Sequence, residues 1–309
     1  MFSRPIRQAS DFLTSHQDAD GFWRDFRLDP GASDAWITAC VGFALSHVEG
    51  CRESVLKAAD ALCAIRRPQG WGYNALTACD ADTTAWVIRF LSVAGAVSAA
   101  EATELMRFYI TPSHRVRTFA STDRFGSWAH AHDEVAPIVA MALLSCGASG
   151  PVKLLRQNCI AQESWTPFWW QCRSYVCAQN LEFLAVSGGI PERIKKRESE
   201  AFERLCASAA PSSFDLAHRL VAARYLDQPL GDAVLLQMQQ NDGSWPPSAE
   251  LLVPDQQDGS IKGPPYADTQ RLFSTAMAVL ALVKTEDFFQ NRRLLSYPRD
   301  DAHGDKNNA

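Results

Sequence analysis

In the stretch CDADTTAWVIRFL, residues 79–91, Asp80 and Asp82 sit one residue apart, ahead of two threonines and an almost wholly apolar run. Paired carboxylates at the edge of an apolar region are suited to general-acid chemistry. Two that lie close together cannot both ionise cheaply, so one keeps its proton, and a dry cavity raises that carboxyl's pKa further. The same pattern suits a helix start, because Asp before Thr-Thr-Ala accepts free backbone N–H bonds as an N-cap. For either Asp taken alone, the cap is the ordinary reading. The elements around them must decide.

Other residues of chemical interest fall at similar places. His130 and His132 lie in SWAHAHDE, just before an apolar helix pattern, and would be a solvated pair, a cap partner for Asp133, or the beginning of a metal site. Zinc normally needs more ligands at readable spacing. Trp36, Trp86, Trp169, Trp170, Tyr175, Phe214, Tyr266 and Phe273 all sit in or near the early turns of apolar helix patterns. Each is a candidate for core packing or for a pocket that holds a cation against aromatic faces. Arg173 and Arg271 fall near the same starts and would meet a diphosphate or pair with Glu134 or Asp268. No acidic cluster of the magnesium-binding kind is present. The long segment 246–268 predicts a lid over whatever lies beneath it.

The elements that position these residues recur in pairs. Six helical hairpins are predicted, at 4–47, 53–94, 99–145, 152–187, 191–226 and 229–283, each with an amphipathic first helix and a far more apolar second one. A repeat of 40 to 50 residues is the signature of a helical-hairpin array. A helix apolar all round must be buried on every side. Six hairpins closed into a ring satisfy this, so the fold expected is an all-α (α/α)6 barrel occupying residues 1–285 as one domain, with a polar, disordered tail at 286–309. An open armadillo-like stack is the alternative, although it needs polar capping repeats. In the closed ring, all the inner helices start at one end, where their unpaired N–H groups surround a mouth.

FLTSHQDADGFW, residues 12–23, and LLQMQQNDGSW, residues 235–245, share a Gln, a Gly and a Trp at fixed spacing. They resemble the QW repeat of the squalene–hopene and oxidosqualene cyclase family. The Gln is expected to bond the free N–H groups of a neighbouring helix start while the Trp stacks on it. DADTTA, residues 80–85, resembles the DxD(D/T)TA motif of class II terpene cyclases. The resemblance covers residues 1–285 but not the second helical domain that most members carry. It implies that Asp82 is the general acid, supported by Asp80 and by a histidine, for which His132 is chosen. The substrate pocket would draw on Trp36, Thr83, Trp86, Trp169, Trp170, Tyr175, Phe214, Tyr266 and Phe273. The implied reaction is protonation-initiated cyclisation of a polyprenyl or meroterpenoid substrate, with no metal and no cofactor. Magnesium would enter only if the substrate carried a diphosphate.

Composition agrees with this class and excludes others. The 309 residues are 47% hydrophobic and 21% charged, with a formal net charge of -5 that gives no footprint for nucleic acid. No apolar run reaches the length of a membrane span, and the first residues hold no signal-like run. A cytoplasmic location is expected, with a small isoprenoid partner and peripheral membrane contact allowed. The nine scattered cysteines read as reduced thiols. Two competitors remain open: a protein-prenyltransferase-like zinc enzyme, and a non-catalytic isoprenoid-binding toroid. Substrate, ring count, terminating step and oligomeric state are not set by the sequence.

Overall fold

The computed structural model describes residues 3–207 and 211–290. The first hairpin is α1 (Ser3–Ser15), a short β-ribbon of β1 (Asp25–Leu28) and β2 (Gly31–Ser33), and α2 (Ala35–Leu45). The second pairs α3 (Arg52–Ala64) with α4 (Ala81–Val93). The third runs from α5 (Ala99–Met106) through the short α6 (Thr122–Phe125) and a 3-10 turn to α7 (Val135–Ser145). The fourth pairs α8 (Val152–Ala161) with α9 (Arg173–Val186), and the fifth α10 (Glu192–Cys206) with α11 (Ser213–Tyr225). The sixth begins at α12 (Ala233–Gln237), passes through β3 (Ala249–Leu251) and β4 (Tyr266–Ala267), and ends in α13 (Leu272–Gln290). The larger part of the expected tail lies outside the described residues.

Burial separates the two kinds of helix as the sequence pattern requires. α10 buries only Ile194, Glu198 and Phe202, one stripe at a spacing of four. α2 buries all of its residues. α2 packs on α4, α4 on α7, α7 on α9, α9 on α11, α11 on α13, and α13 returns to α2. That last contact closes the ring and makes this an (α/α)6 barrel; an open stack would leave its first and last hairpins apart. The outer helices lie against the ring, α1 on α13, α3 on α2, α5 on α4, α8 on α7 and α12 on α11.

The loops carry the ties. Gln17 Nε2 donates to the Gly21 carbonyl at 2.9 Å and to the Ser54 carbonyl in α3 at 3.0 Å. Gln239 repeats this, donating to Gly243 and to Pro5 in α1, both at 2.9 Å, and so fastens the last hairpin to the first. Both glutamines therefore bond carbonyls of the next outer helix, not the N–H groups expected. The glutamine Nε2 is a donor and needs an acceptor, and a first-turn carbonyl keeps a free lone pair. The tryptophans of these loops point back: the Nε1 groups of Trp23, Trp71 and Trp245 donate to Leu13, Leu62 and Leu235, capping carbonyls at the ends of their own outer helices. Gly243 needs to be glycine, because at φ +89° a Cβ there would stand 2.2 Å from the Gln8 carbonyl oxygen.

A second tie fixes the inner helices. The backbone N–H groups of Trp23, Trp71 and Trp245 donate to the hydroxyls of Thr38, Thr84 and Thr275 at 2.9, 3.0 and 3.0 Å. Each threonine is the fourth residue of its inner helix, so the register of α2, α4 and α13 at the mouth is set in the same way. At the far end, α4 stops in a Schellman motif, with Ala96 N–H on the Leu91 carbonyl and Gly95 N–H on Ser92, and Gly95 at φ +74°. All nine cysteines are free.

Candidate active site

At the mouth, a cavity of about 240 Å³ lies among the starts of α2, α4 and α7, the segment before α9, and the strap between α12 and α13. Asp80 and Asp82 both line it, and they have different jobs. Asp80 is the N-cap of α4: one carboxyl oxygen accepts Thr83 N–H at 2.7 Å and the other accepts the Thr83 hydroxyl at 2.8 Å. The cap reading is therefore correct for Asp80. Asp82, two residues on, makes no such bond; it sits in the first turn and keeps accessible surface only along the cavity wall.

Their titration differs accordingly. Burial raises Asp80 to about 6, against the pull of its Thr83 bonds and the more distant Arg67. Asp82 is pushed well above the usual carboxylate range, first by burial, then by the negative charges of Asp80 and Glu134. The Trp36 indole works the other way on Asp82, and Trp36 Nε1 is buried with no hydrogen-bond partner. The amides opening α4 are taken up elsewhere: Thr83 N–H by Asp80 and Ala81 N–H by the Thr118 carbonyl. They stabilise the charge of Asp80, not that of Asp82. The donor left for an Asp82 anion is Trp36 Nε1.

Among the predicted pocket residues, Trp36, Thr83, Trp169, Trp170 and Tyr266 line the cavity. Trp86, Tyr175, Phe214 and Phe273 do not. They form the barrel's aromatic plug beneath it, with Trp170 stacked on Phe214 at 4.8 Å and on Phe273 at 5.5 Å, and Tyr175 5.7 Å from Phe214. Trp86 lies deeper still, 6.0 Å from Phe43. Tyr175, Phe214 and Phe273 are in the first turns of α9, α11 and α13, but they are buried against one another and Trp170, and leave no space between them.

His132 is not beside the acid. Its Nε2 faces the Ser127 carbonyl at 3.2 Å, its ring stacks on Phe168 at 3.7 Å, and burial lowers its pKa to about 3. The connection before α7 turns at 126–134, which directs Glu134, not His132, to the cavity. Glu134 Oε1 accepts the N–H groups of Phe168 at 2.8 Å and Trp169 at 2.7 Å, while burial raises the carboxyl to about 7. Arg173 pairs with Glu198, and Arg271 with Gln240, Asp242 and Ser244. Neither reaches the cavity, and no Lys or Arg is among its described lining residues. Among the described residues, no group of three or more His, Cys, Asp or Glu side chains is arranged to hold a metal ion.

Sequence reasoning missed Glu134, Tyr73, Thr118, Phe119 and Trp128, all of which line the cavity from loops. The Gly and Trp punctuation marked those loops, but loops have no period to show which side chains turn inward. The strap supplies Leu251, Leu252 and Val253 to the wall. It is bonded down by Leu252 N–H on the Trp169 carbonyl at 2.8 Å and by Trp128 Nε1 on the Pro254 carbonyl at 2.7 Å.

The barrel has solved counterparts. The type II terpene cyclase MstE from Scytonema, in its apo form, is 25% identical, matches 92% of this chain and 97% of its own, and superposes with a TM-score of 0.78. The chain has the fold of a type II terpene cyclase. A variant of MstE in complex with geranylgeranyl dihydroxybenzoate superposes with a TM-score of 0.79 at 24% identity, covering 92% and 97% of the two chains. A protein from Actinoplanes superposes at 0.76 with 25% identity, covering 91% and 98%. A larger enzyme, ent-copalyl diphosphate synthase from Streptomyces platensis, aligns over half its length at 0.58 and 16% identity, so this barrel corresponds to one part of it. No protein-family model and no curated protein matches the sequence.

Proposed function

We propose that this terpene cyclase fold carries out protonation-initiated cyclisation of a polyprenyl substrate. The observation that carries the proposal is the Asp82 carboxyl, lining an aromatic-walled cavity where burial favours its protonated form, beside an Asp80 held as the acceptor by Thr83. Asp82 gives its proton to the terminal alkene, whose π electrons form the new C–H bond and leave a tertiary cation. As the Asp82 anion forms, Trp36 Nε1 gains a partner, an interaction stronger in the transition state than before it. Asp80 is fixed by Thr83 and keeps its negative charge against Asp82, which holds the donor's proton in place until substrate arrives.

The cation then migrates along the folded chain as successive alkenes attack it. The faces of Trp36, Trp169, Trp170, Tyr73 and Trp128 surround that path and stabilise positive charge without offering a nucleophile. The strap closes the wall with aliphatic side chains and keeps water from quenching the cation. A wall without Lys or Arg suits a prenyl chain on an uncharged or aromatic head group better than a diphosphate. This supports a meroterpenoid of the kind seen in the MstE complex. Among the described residues, no cluster of metal-ligating side chains supports the zinc prenyltransferase alternative. The test is incubation with geranylgeranyl dihydroxybenzoate and with free prenyl alcohols, followed by product mass and structure. An isomer of unchanged mass is expected; loss of the head group would refute the reading.

A further inference from the structure

One buried carboxylate of the cavity wall acts on Asp82 only through its charge. Glu134 opens α7, and its Oε1 is fixed by two backbone donors, Phe168 N–H and Trp169 N–H. Its Oε2 is buried and has no hydrogen-bond partner. Leaving a buried carboxylate oxygen unpaired is costly, and two N–H donors on the other oxygen favour the charged form that makes it costlier. Lys262, a cation close enough to feel the Glu134 charge, donates to the Phe168 carbonyl and lies over the Phe168 ring at 4.2 Å, not on Glu134.

Several other polar groups of the wall are committed. Both Asp80 oxygens are taken by Thr83, the Tyr73 hydroxyl donates to the Phe26 carbonyl, and the Thr118 hydroxyl accepts Trp169 Nε1 at 3.4 Å. Asp29 is exposed at the rim. Among the described residues of the wall, Glu134 is therefore the buried carboxylate besides Asp82 with an oxygen that no hydrogen bond holds.

We propose that Glu134 is the terminating base: Oε2 removes the proton adjacent to the last carbocation. The C–H bond breaks, its electron pair becomes the ring alkene, and the proton passes to Glu134. Asp82 has given one proton and Glu134 has taken one, so the substrate is isomerised without a co-reactant, and the two carboxyls re-equilibrate when the product leaves. The inference rests on the protonation-initiated reading and assigns its product class, an unhydrated cyclic olefin. It also places the last cation in the same small cavity as the first.

The experiment is product analysis of Glu134→Gln against the wild type on geranylgeranyl dihydroxybenzoate. Gln keeps an acceptor for the Phe168 and Trp169 amides, so the variant retains the fold, checked by its melting temperature. Glu134→Asp, which restores a carboxylate at shorter reach, is the second variant. With the base removed, the ratio of wild-type olefin to water-captured alcohol or to other olefin isomers falls on the order of 10²-fold, and Asp restores part of it. A wild-type product ratio from folded Glu134→Gln overturns the inference, as does complete loss of turnover in that folded variant, which would place Glu134 in initiation. Failure of the wild type itself to make any isomer would instead refute the parent reading.

Discussion

Asp80 and Asp82 look alike in the sequence and differ in what binds them, so their substitutions should separate. Asp82→Asn removes the proton donor while no hydrogen bond of the fold is lost, and turnover should fall by roughly 10³-fold or more at a melting temperature no lower than that of the wild type. Asp80→Ala removes the α4 cap as well as the supporting charge. It should cost about 1–2 kcal/mol of stability in addition to activity, read by thermal melting beside the turnover assay. Trp36→Phe keeps an aromatic face and deletes the indole N–H. A loss of kcat of roughly 10²-fold with little change in KM is expected if that N–H meets the forming Asp82 anion, and an equal loss in KM alone would deny it.

Glu134 also ties stability to pH. Its folded value of about 7 lies above the ordinary 4.5, so the folded state holds the proton more tightly than the unfolded one. The resulting stabilisation is complete below about pH 4.5 and is lost as pH rises through 7. Its size is at most roughly 3 kcal/mol. The difference in melting temperature between the wild type and Glu134→Gln should therefore shift against the wild type between pH 5 and 8, and a difference independent of pH would contradict this.

Among the elements, α2, α7 and α13 were legible as inner helices from their apolar runs and α10 as an outer helix from its stripe, because periodicity records which faces are buried; α9 and α11 carry buried polar residues such as Glu182 and Asp215 and show it less plainly. The start of α4 was legible from DADTTA. The parts that escaped notice are on connections. Glu134 and Trp128 follow a turn whose direction no residue pattern specifies, and His132, two positions from Glu134, was chosen in its place. The β1–β2 and β3–β4 ribbons are too short to show alternation. The Trp–Thr ties were likewise hidden, since partners such as Trp245 and Thr275 are brought together by the strap between them. Thr84→Val should leave the Trp71 amide unpaired in the core and cost about 1–3 kcal/mol. A melting temperature equal to wild type would show that the tie does not set the α4 register.

At the scale of the molecule, the ring is what turns six ordinary hairpins into a reaction vessel. α13 covers both α11 and α2, and Gln239 fastens the last hairpin to the first, so neither end of the chain can peel away without opening the wall. A chain ending at Gln270 should lose cooperative thermal unfolding altogether. The closed ring gives a floor of stacked aromatics, a rim of helix starts and a strap across the top. A carboxyl whose burial favours its protonated form lines the space at that rim, and the proposed chemistry rests on that placement.

The most direct test of the account is to run wild type and Asp82→Asn with geranylgeranyl dihydroxybenzoate in D₂O and analyse the products by mass. The account predicts that the wild type gives a cyclic isomer carrying one deuterium from solvent, and that the folded Asp82→Asn variant gives none. A product that has lost its head group, an isomer without deuterium, or wild-type turnover by Asp82→Asn would contradict it.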